Sequence, residues 1–192
     1  MPTKEIWFQR HGECLVDPNP QVGMWQPSAP LTENGRALLI EVRRRYIVGK
    51  HFELLYHSPF VRAKQTAGIV VPDGNWQEMA ELAPCLKDDL ERRLADTTKE
   101  RWPTNHEELD KFYPGLLESE ESWIFSGVQK VLNSLKEGQR ALLVGHQPHL
   151  DLLRRHLDPS FPRLGQVASR GDIYLMEFDE SNHLVGFKHL VA

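Results

Sequence analysis

Apolar residues follow two rhythms along this chain, and their order sketches an architecture before any chemistry enters. The unbroken run Ile6-Trp7-Phe8, inside Lys4 to Gln9, predicts a short buried strand. Further strands are predicted over Phe52 to Tyr56, near Asn75 to Glu81, and over Arg140 to Val144. Between them the period changes. Leu38, Leu39, Val42 and Tyr46 recur at helical spacing behind Thr32, a residue type that caps helix N-termini. Ser58-Pro59 reads as an N-cap and a first-turn proline, opening a helix towards Val70. A helix from Ser122 to Glu137 carries Ile124, Val128, Val131, Leu132 and Leu135 on one face, and another runs from Pro148 to His156. Asp172 to Phe178 and His183 to Leu190 predict two antiparallel strands joined by a polar turn. Strands alternating with helices imply an α/β fold whose mostly parallel sheet is covered on both faces.

Residues 86–121 break these rhythms. They hold Asp88-Asp89, Glu107-Glu108 and the acidic run Glu118, Glu120, Glu121, with weak periodicity. The expectation is a solvated helical or loop insertion over the C-terminal ends of the strands, a candidate lid on one domain spanning 1–192.

Length and charge narrow the function classes. A chain of 192 residues is the usual size of one domain, with 40% hydrophobic and 26% charged residues. A net charge of -4 supplies no basic footprint, so neither nucleic acid nor membrane is an expected partner. The only cysteines, Cys14 and Cys85, form no disulfide or zinc pattern, and no apolar stretch reaches membrane-span length. The expected address is cytoplasmic, and the pattern leaves the oligomeric state open.

Chemistry concentrates where strands end. Arg10-His11-Gly12-Glu13 follows the first strand, Ser58 and Arg62 follow the second, and His146 follows the fourth. In an open parallel sheet, ligands bind beyond the carboxyl ends of the strands, so these scattered residues should converge. Two arginines, two histidines and helix N-termini around one point describe a phosphate site. Neutral imidazole is a capable nucleophile near pH 7, which makes His11 the candidate. Other phosphatase chemistries lack their residues: six positions after Cys14 and Cys85 stand Pro20 and Glu91 rather than arginine, and no Asp-x-Asp occurs. His149 follows His146 by three positions, but no third ligand of clear spacing accompanies it; a surface or pocket-rim histidine is expected.

Four ordered segments carry a resemblance. Arg10-His11-Gly12-Glu13, Leu31-Thr32-Glu33-Asn34-Gly35, Ser58-Pro59-Phe60-Val61-Arg62-Ala63-Lys64-Gln65-Thr66-Ala67 and Val144-Gly145-His146 resemble the histidine phosphatase superfamily, and Glu121-Ser122-Trp123 resembles a further element of it. The resemblance implies a three-layer α/β/α fold and a covalent phosphohistidine mechanism needing neither metal nor other cofactor. It implies His11 as nucleophile, Arg10, Arg62 and His146 as phosphate ligands, and a carboxylic acid as proton donor. Glu81 stands in the corresponding place, with Glu78 as runner-up. Ser58 and Gly12, within these segments, and Gln147, which follows the last of them, are the expected substrate-binding positions. Cys14-Leu15-Val16-Asp17 differs from the continuation found in mutases, whereas Gly145-His146-Gln147-Pro148 resembles small phosphohistidine phosphatases. The expected substrate is a phosphorylated small molecule or a phosphohistidine protein. A non-catalytic phosphate-binding scaffold, a phosphoglycerate-type mutase and a zinc hydrolase remain as alternatives.

Overall fold

The computed structural model describes residues 3–15, 26–84, 115–157 and 168–192. Most of the expected insertion, and residues 16–25 after the first strand, lie outside the described residues.

Six strands form one sheet: β1 (Lys4–Arg10), β2 (Leu54–His57), β3 (Gln77–Glu78), β4 (Arg140–Gly145), β5 (Ile173–Phe178) and β6 (Leu184–Leu190). Their order is β3-β2-β4-β1-β5-β6. The first four are mutually parallel, while β5 runs antiparallel to both β1 and β6. Among the described residues the α-helices are α1 (Glu33–Val42), α2 (Val61–Val70), α3 (Leu116–Ser134) and α4 (Gln147–Leu157). Among the described residues no helix is long and apolar enough to cross a membrane.

Alternation within the strands builds three layers. Ile6 and Phe8 of β1, Ala141 and Leu143 of β4, and Tyr174 and Met176 of β5 pack with Ile124, Val128, Val131 and Leu132 of α3 and with Leu150 and Leu153 of α4. Their neighbours in the strands, Trp7, Leu142, Ile173 and Leu175, point the other way and meet Leu39 and Val42 of α1 and Val70 of α2. Truncating one such side chain to alanine costs about 2 to 5 kcal/mol.

Three local expectations are corrected. Helix α2 begins at Val61 with Phe60 at the cap position, while the Ser58 hydroxyl accepts from the Phe60 amide at 3.3 Å and bonds to His146. Strand β3 shrinks to two residues: the Met79 amide bonds to the His57 carbonyl, and the chain then turns into a 3₁₀ segment over Ala80–Leu82. Helix α3 starts at Leu116, six residues before Ser122, so the acidic run lies inside a helix. Glu120 is not solvated but only 3% exposed.

The topology makes a crevice where the chemistry sits. β1 and β4 are adjacent, yet β1 leads to α1 on one face and β4 leads to α4 on the other. Such a switch point opens a gap beyond the strand ends.

Candidate active site

Register brings the two histidines together. Arg10 pairs with Gly145 across β1 and β4, and the His11 amide bonds to the Gly145 carbonyl at 3.0 Å. His11 and His146 are therefore the next residues out of two neighbouring strands. Their rings stand edge to face with centroids 5.1 Å apart. On the other side of β4, His57 pairs with Val144, and the Ser58 amide bonds to the Val144 carbonyl, which sets Ser58 beside His146.

The loop after β1 is clamped to α1. Cys14 bridges Leu31, the Thr32 amide bonds to the Glu13 carbonyl, and the Thr32 hydroxyl caps α1 by accepting from the Gly35 amide. Gly35 is needed for this approach: a Cβ there would lie 2.8 Å from the Glu13 nitrogen and would collide with its carbonyl oxygen. Gly12 is pinned through its amide to the Thr66 hydroxyl of α2. These contacts hold His11 from both neighbouring helices.

Hydrogen bonds set the state of each ring. His11 Nδ1 lies 2.7 Å from the Gly12 carbonyl, which can only accept, so Nδ1 carries the proton and Nε2 the lone pair. That lone pair accepts from Arg62 Nε at 3.1 Å. Arg62 also donates from one terminal nitrogen to the Gln26 carbonyl at 2.7 Å and from the other to His146 Nδ1 at 3.3 Å. His146 Nδ1 is consequently an acceptor, and its Nε2 donates to the Ser58 hydroxyl at 2.9 Å. Phe60 completes the wall, with its ring 4.9 Å from that of His146 and the Arg62 guanidinium stacked 4.8 Å from its centroid.

Burial makes the site electrostatically sharp. His11, Ser58, Arg62 and His146 are between 0% and 7% exposed. Desolvation, reinforced by the Arg62 charge, pushes His11 down to about 3, so its imidazole is neutral at physiological pH. Burial, then the charges of His11 and Arg62, likewise holds His146 well below the ordinary histidine value. Burial lowers Arg10 to about 10 and lowers Arg62 too. Arg10 bonds through one terminal nitrogen to the Ala168 carbonyl, while its Nε is buried with no hydrogen-bond partner among the described residues. This is a desolvated cationic pocket around a neutral, oriented imidazole. An anion with several acceptor oxygens is the ligand it suits.

Other expected site residues make contacts of their own. Glu81 is bonded to Lys130 of α3, and none of its hydrogen bonds joins it to His11, Arg62 or His146. Burial alone would raise the Glu81 carboxyl, but the Lys130 ammonium brings it below its ordinary value. Glu78 is exposed on β3. Gln147 turns along its own helix, its amide donating to Asp151 at 3.2 Å. His149 is neither on the surface nor at a rim: it is fully buried and paired with Glu120. Phe60, Thr66 and the Gln26 carbonyl were not singled out from the sequence, although Phe60 and Thr66 lie inside the Ser58 to Ala67 segment. Among the described residues, no three His, Cys, Asp or Glu side chains are grouped to hold a metal ion.

Known proteins share this arrangement of elements. The sequence profile of the histidine phosphatase superfamily (branch 1) matches residues 6–185. No curated protein matches the chain by sequence. Among solved structures, Bacillus stearothermophilus YhfR is 21% identical with a TM-score of 0.71, over 95% of this chain and 94% of that one. A phosphoglycerate mutase from Bacillus anthracis is 19% identical with a TM-score of 0.69, over 96% and 91%. The protein histidine phosphatase SixA, in complex with tungstate, is 19% identical with a TM-score of 0.62, over 97% and 96%. At such identities the likeness is one of fold.

Proposed function

The chain belongs to the histidine phosphatase superfamily, and on that premise we propose that it is a phosphatase that hydrolyses a phosphomonoester through a phosphohistidine formed on His11. One observation carries the reading. His11 Nε2 holds its lone pair 3.1 Å from Arg62 Nε, in a buried pocket shared with His146 and bordered by the half-buried Arg10.

The steps follow from that geometry. The phosphoryl oxygens take over the donors of Arg62, which releases the His11 lone pair for in-line attack on phosphorus, and the ester P–O bond breaks as the alcohol departs. The Nδ1 proton stays on the ring and is donated to the Gly12 carbonyl, so charge developing on the ring is stabilised without a proton leaving it. Arg10 and Arg62 neutralise charge on the equatorial oxygens, the contribution that dominates phosphoryl transfer. Water then attacks the phosphohistidine, the P–N bond breaks, and inorganic phosphate departs. No step requires a metal ion. A small phosphorylated molecule suits a pocket whose four central side chains are almost wholly enclosed better than a phosphohistidine on a protein surface. The cytoplasm is the proposed location.

Hydrolysis of p-nitrophenyl phosphate by wild type and His11→Ala, with EDTA present throughout, tests the reading. Turnover that persists in chelator and vanishes in His11→Ala is expected. Acid quenching should trap an acid-labile phosphoenzyme in wild type alone. Phosphate or vanadate binding without turnover of any ester would make the protein a phosphate-binding scaffold instead.

A further inference from the structure

His149 and Glu120 form a second buried histidine pair that the mechanism above leaves unused. His149 sits in the first turn of α4, is 0% exposed, and meets through Nε2 the carboxylate of Glu120 on α3, itself 3% exposed. A carboxylate partner requires the proton on Nε2. The other ring nitrogen, Nδ1, is buried with no hydrogen-bond partner among the described residues. Buried polar atoms are nearly always satisfied, and an orphan beside a cluster of buried cations and histidines points to a ligand or to proton traffic.

The position is next to the phosphoryl site. The His149 ring stands edge-on to His146 at 6.0 Å and 84°, and His146 is 5.1 Å from His11. Complete burial does not set His149 apart, since His11, Ser58, Arg62 and His146 are closed off to the same degree. The task left open is protonation of the leaving oxygen, because Glu81 is bonded to Lys130 and lies below its ordinary carboxyl value.

Resting on the phosphatase reading above, we propose that His149, oriented by Glu120, is the general acid and base of this enzyme. Glu120 is the positioning residue: its carboxylate fixes the ring and stabilises the imidazolium, as the carboxylate of a catalytic triad does. His11 Nε2 forms its bond to phosphorus as the P–O bond breaks. The electron pair stays on the leaving oxygen, which takes the Nδ1 proton of His149 and departs as an alcohol. Neutral His149 then removes a proton from the water that attacks the phosphohistidine. The P–N pair returns to His11, phosphate is released, and the imidazolium is restored. One ester and one water give one alcohol and one phosphate.

Leaving-group dependence separates this role from a structural one. A poor leaving group needs the acid and a good one does not, so His149→Gln and Glu120→Gln are assayed on glycerol 2-phosphate and on p-nitrophenyl phosphate. General acid catalysis is worth about 10² to 10⁴-fold. The expected result is a loss of that order in kcat/KM on the alkyl ester, with less than about a fivefold loss in kcat/KM on the aryl ester, because kcat/KM ends at departure of the alcohol and does not include the water step that both esters share. Equal losses on both, no loss on either, or a wild type that cleaves only the aryl ester would overturn the assignment while leaving the phosphatase reading intact. A wild type inactive on both would overturn the two together. Should the variants fold poorly, wild type alone decides: across aryl phosphates of graded leaving-group acidity the rate should vary shallowly, and a steep dependence would overturn the proposal.

Discussion

Arg62 donates from Nε to Nε2 of His11 across 3.1 Å, so the cation that would hold the phosphoryl group also caps the nucleophile at rest. The same guanidinium reaches His146 and the Gln26 carbonyl, a spread that only a planar fork achieves. Arg62→Ala should lower kcat/KM for p-nitrophenyl phosphate by about 10² to 10³, the loss typical of one charge-stabilising donor. Arg62→Lys should recover little, because an ammonium donates from one nitrogen and cannot span partners met by separate nitrogens of the guanidinium. Lysine activity within about threefold of wild type would show that charge alone suffices.

Ser58 is fully buried and accepts the only proton His146 has available to give. Ser58→Ala leaves that N–H without its acceptor, a cost of about 1 to 3 kcal/mol for a buried donor. The expected outcome is a drop in kcat of roughly tenfold, with a native circular dichroism spectrum. An unchanged kcat would mean that His146 needs no such anchor.

Stability should fall in acid in a defined window. His11 is lowered from the unfolded value of about 6.5 to about 3 in the fold. Between those values the unfolded chain binds the extra proton and the native chain does not, so unfolding gains. The contribution is complete above pH 6.5 and is lost progressively as pH falls towards 3. His146, shifted in the same direction, adds to the slope. Urea titrations from pH 7 to 4 should show the loss in wild type and a shallower loss in His11→Gln.

Glu81 serves Lys130 and the packing of α3, where Gly127 lies so close that a Cβ would come 2.7 Å from Glu81 Cβ. Glu81→Gln should change kcat on alkyl and aryl phosphates by the same small factor, below about fivefold, since an ionised carboxylate is a poor general acid. A loss confined to the alkyl ester would restore Glu81 as the proton donor.

Gly35→Ala should destabilise the fold by about 1 to 3 kcal/mol, the usual range for overpacking, because backbone atoms of Glu13 occupy the space. The loop that carries His11 would shift with it, so turnover should fall alongside the urea midpoint.

Much of the site was legible because its segments are local. The run after β1, the Thr32 cap with Gly35, and the turn after β4 each combine a strand end with a following helix, a signal readable within about ten residues. The failures share a cause. Ser58 looks like a helix cap, but its hydroxyl bonds His146, 88 positions away, and the helix starts three residues later. Glu120 reads as solvated in a run of acids, yet His149 from α4 lies over it. Glu81, read as the candidate proton donor, gives no sign in the sequence of the Lys130 that folds beside it.

By itself the sequence determined the alternation of strands and helices, the two apolar faces of the sheet, and His11, Arg62 and His146 as residues at strand ends or helix starts. Periodicity and capping act between near neighbours, so they are written in the chain. Only the tertiary structure decided the strand order β3-β2-β4-β1-β5-β6, the register that sets Arg10 against Gly145, the proton positions on both rings, and which carboxylate meets which cation. Those depend on pairs tens of residues apart and on the removal of water from around them, and neither exists until the layers close.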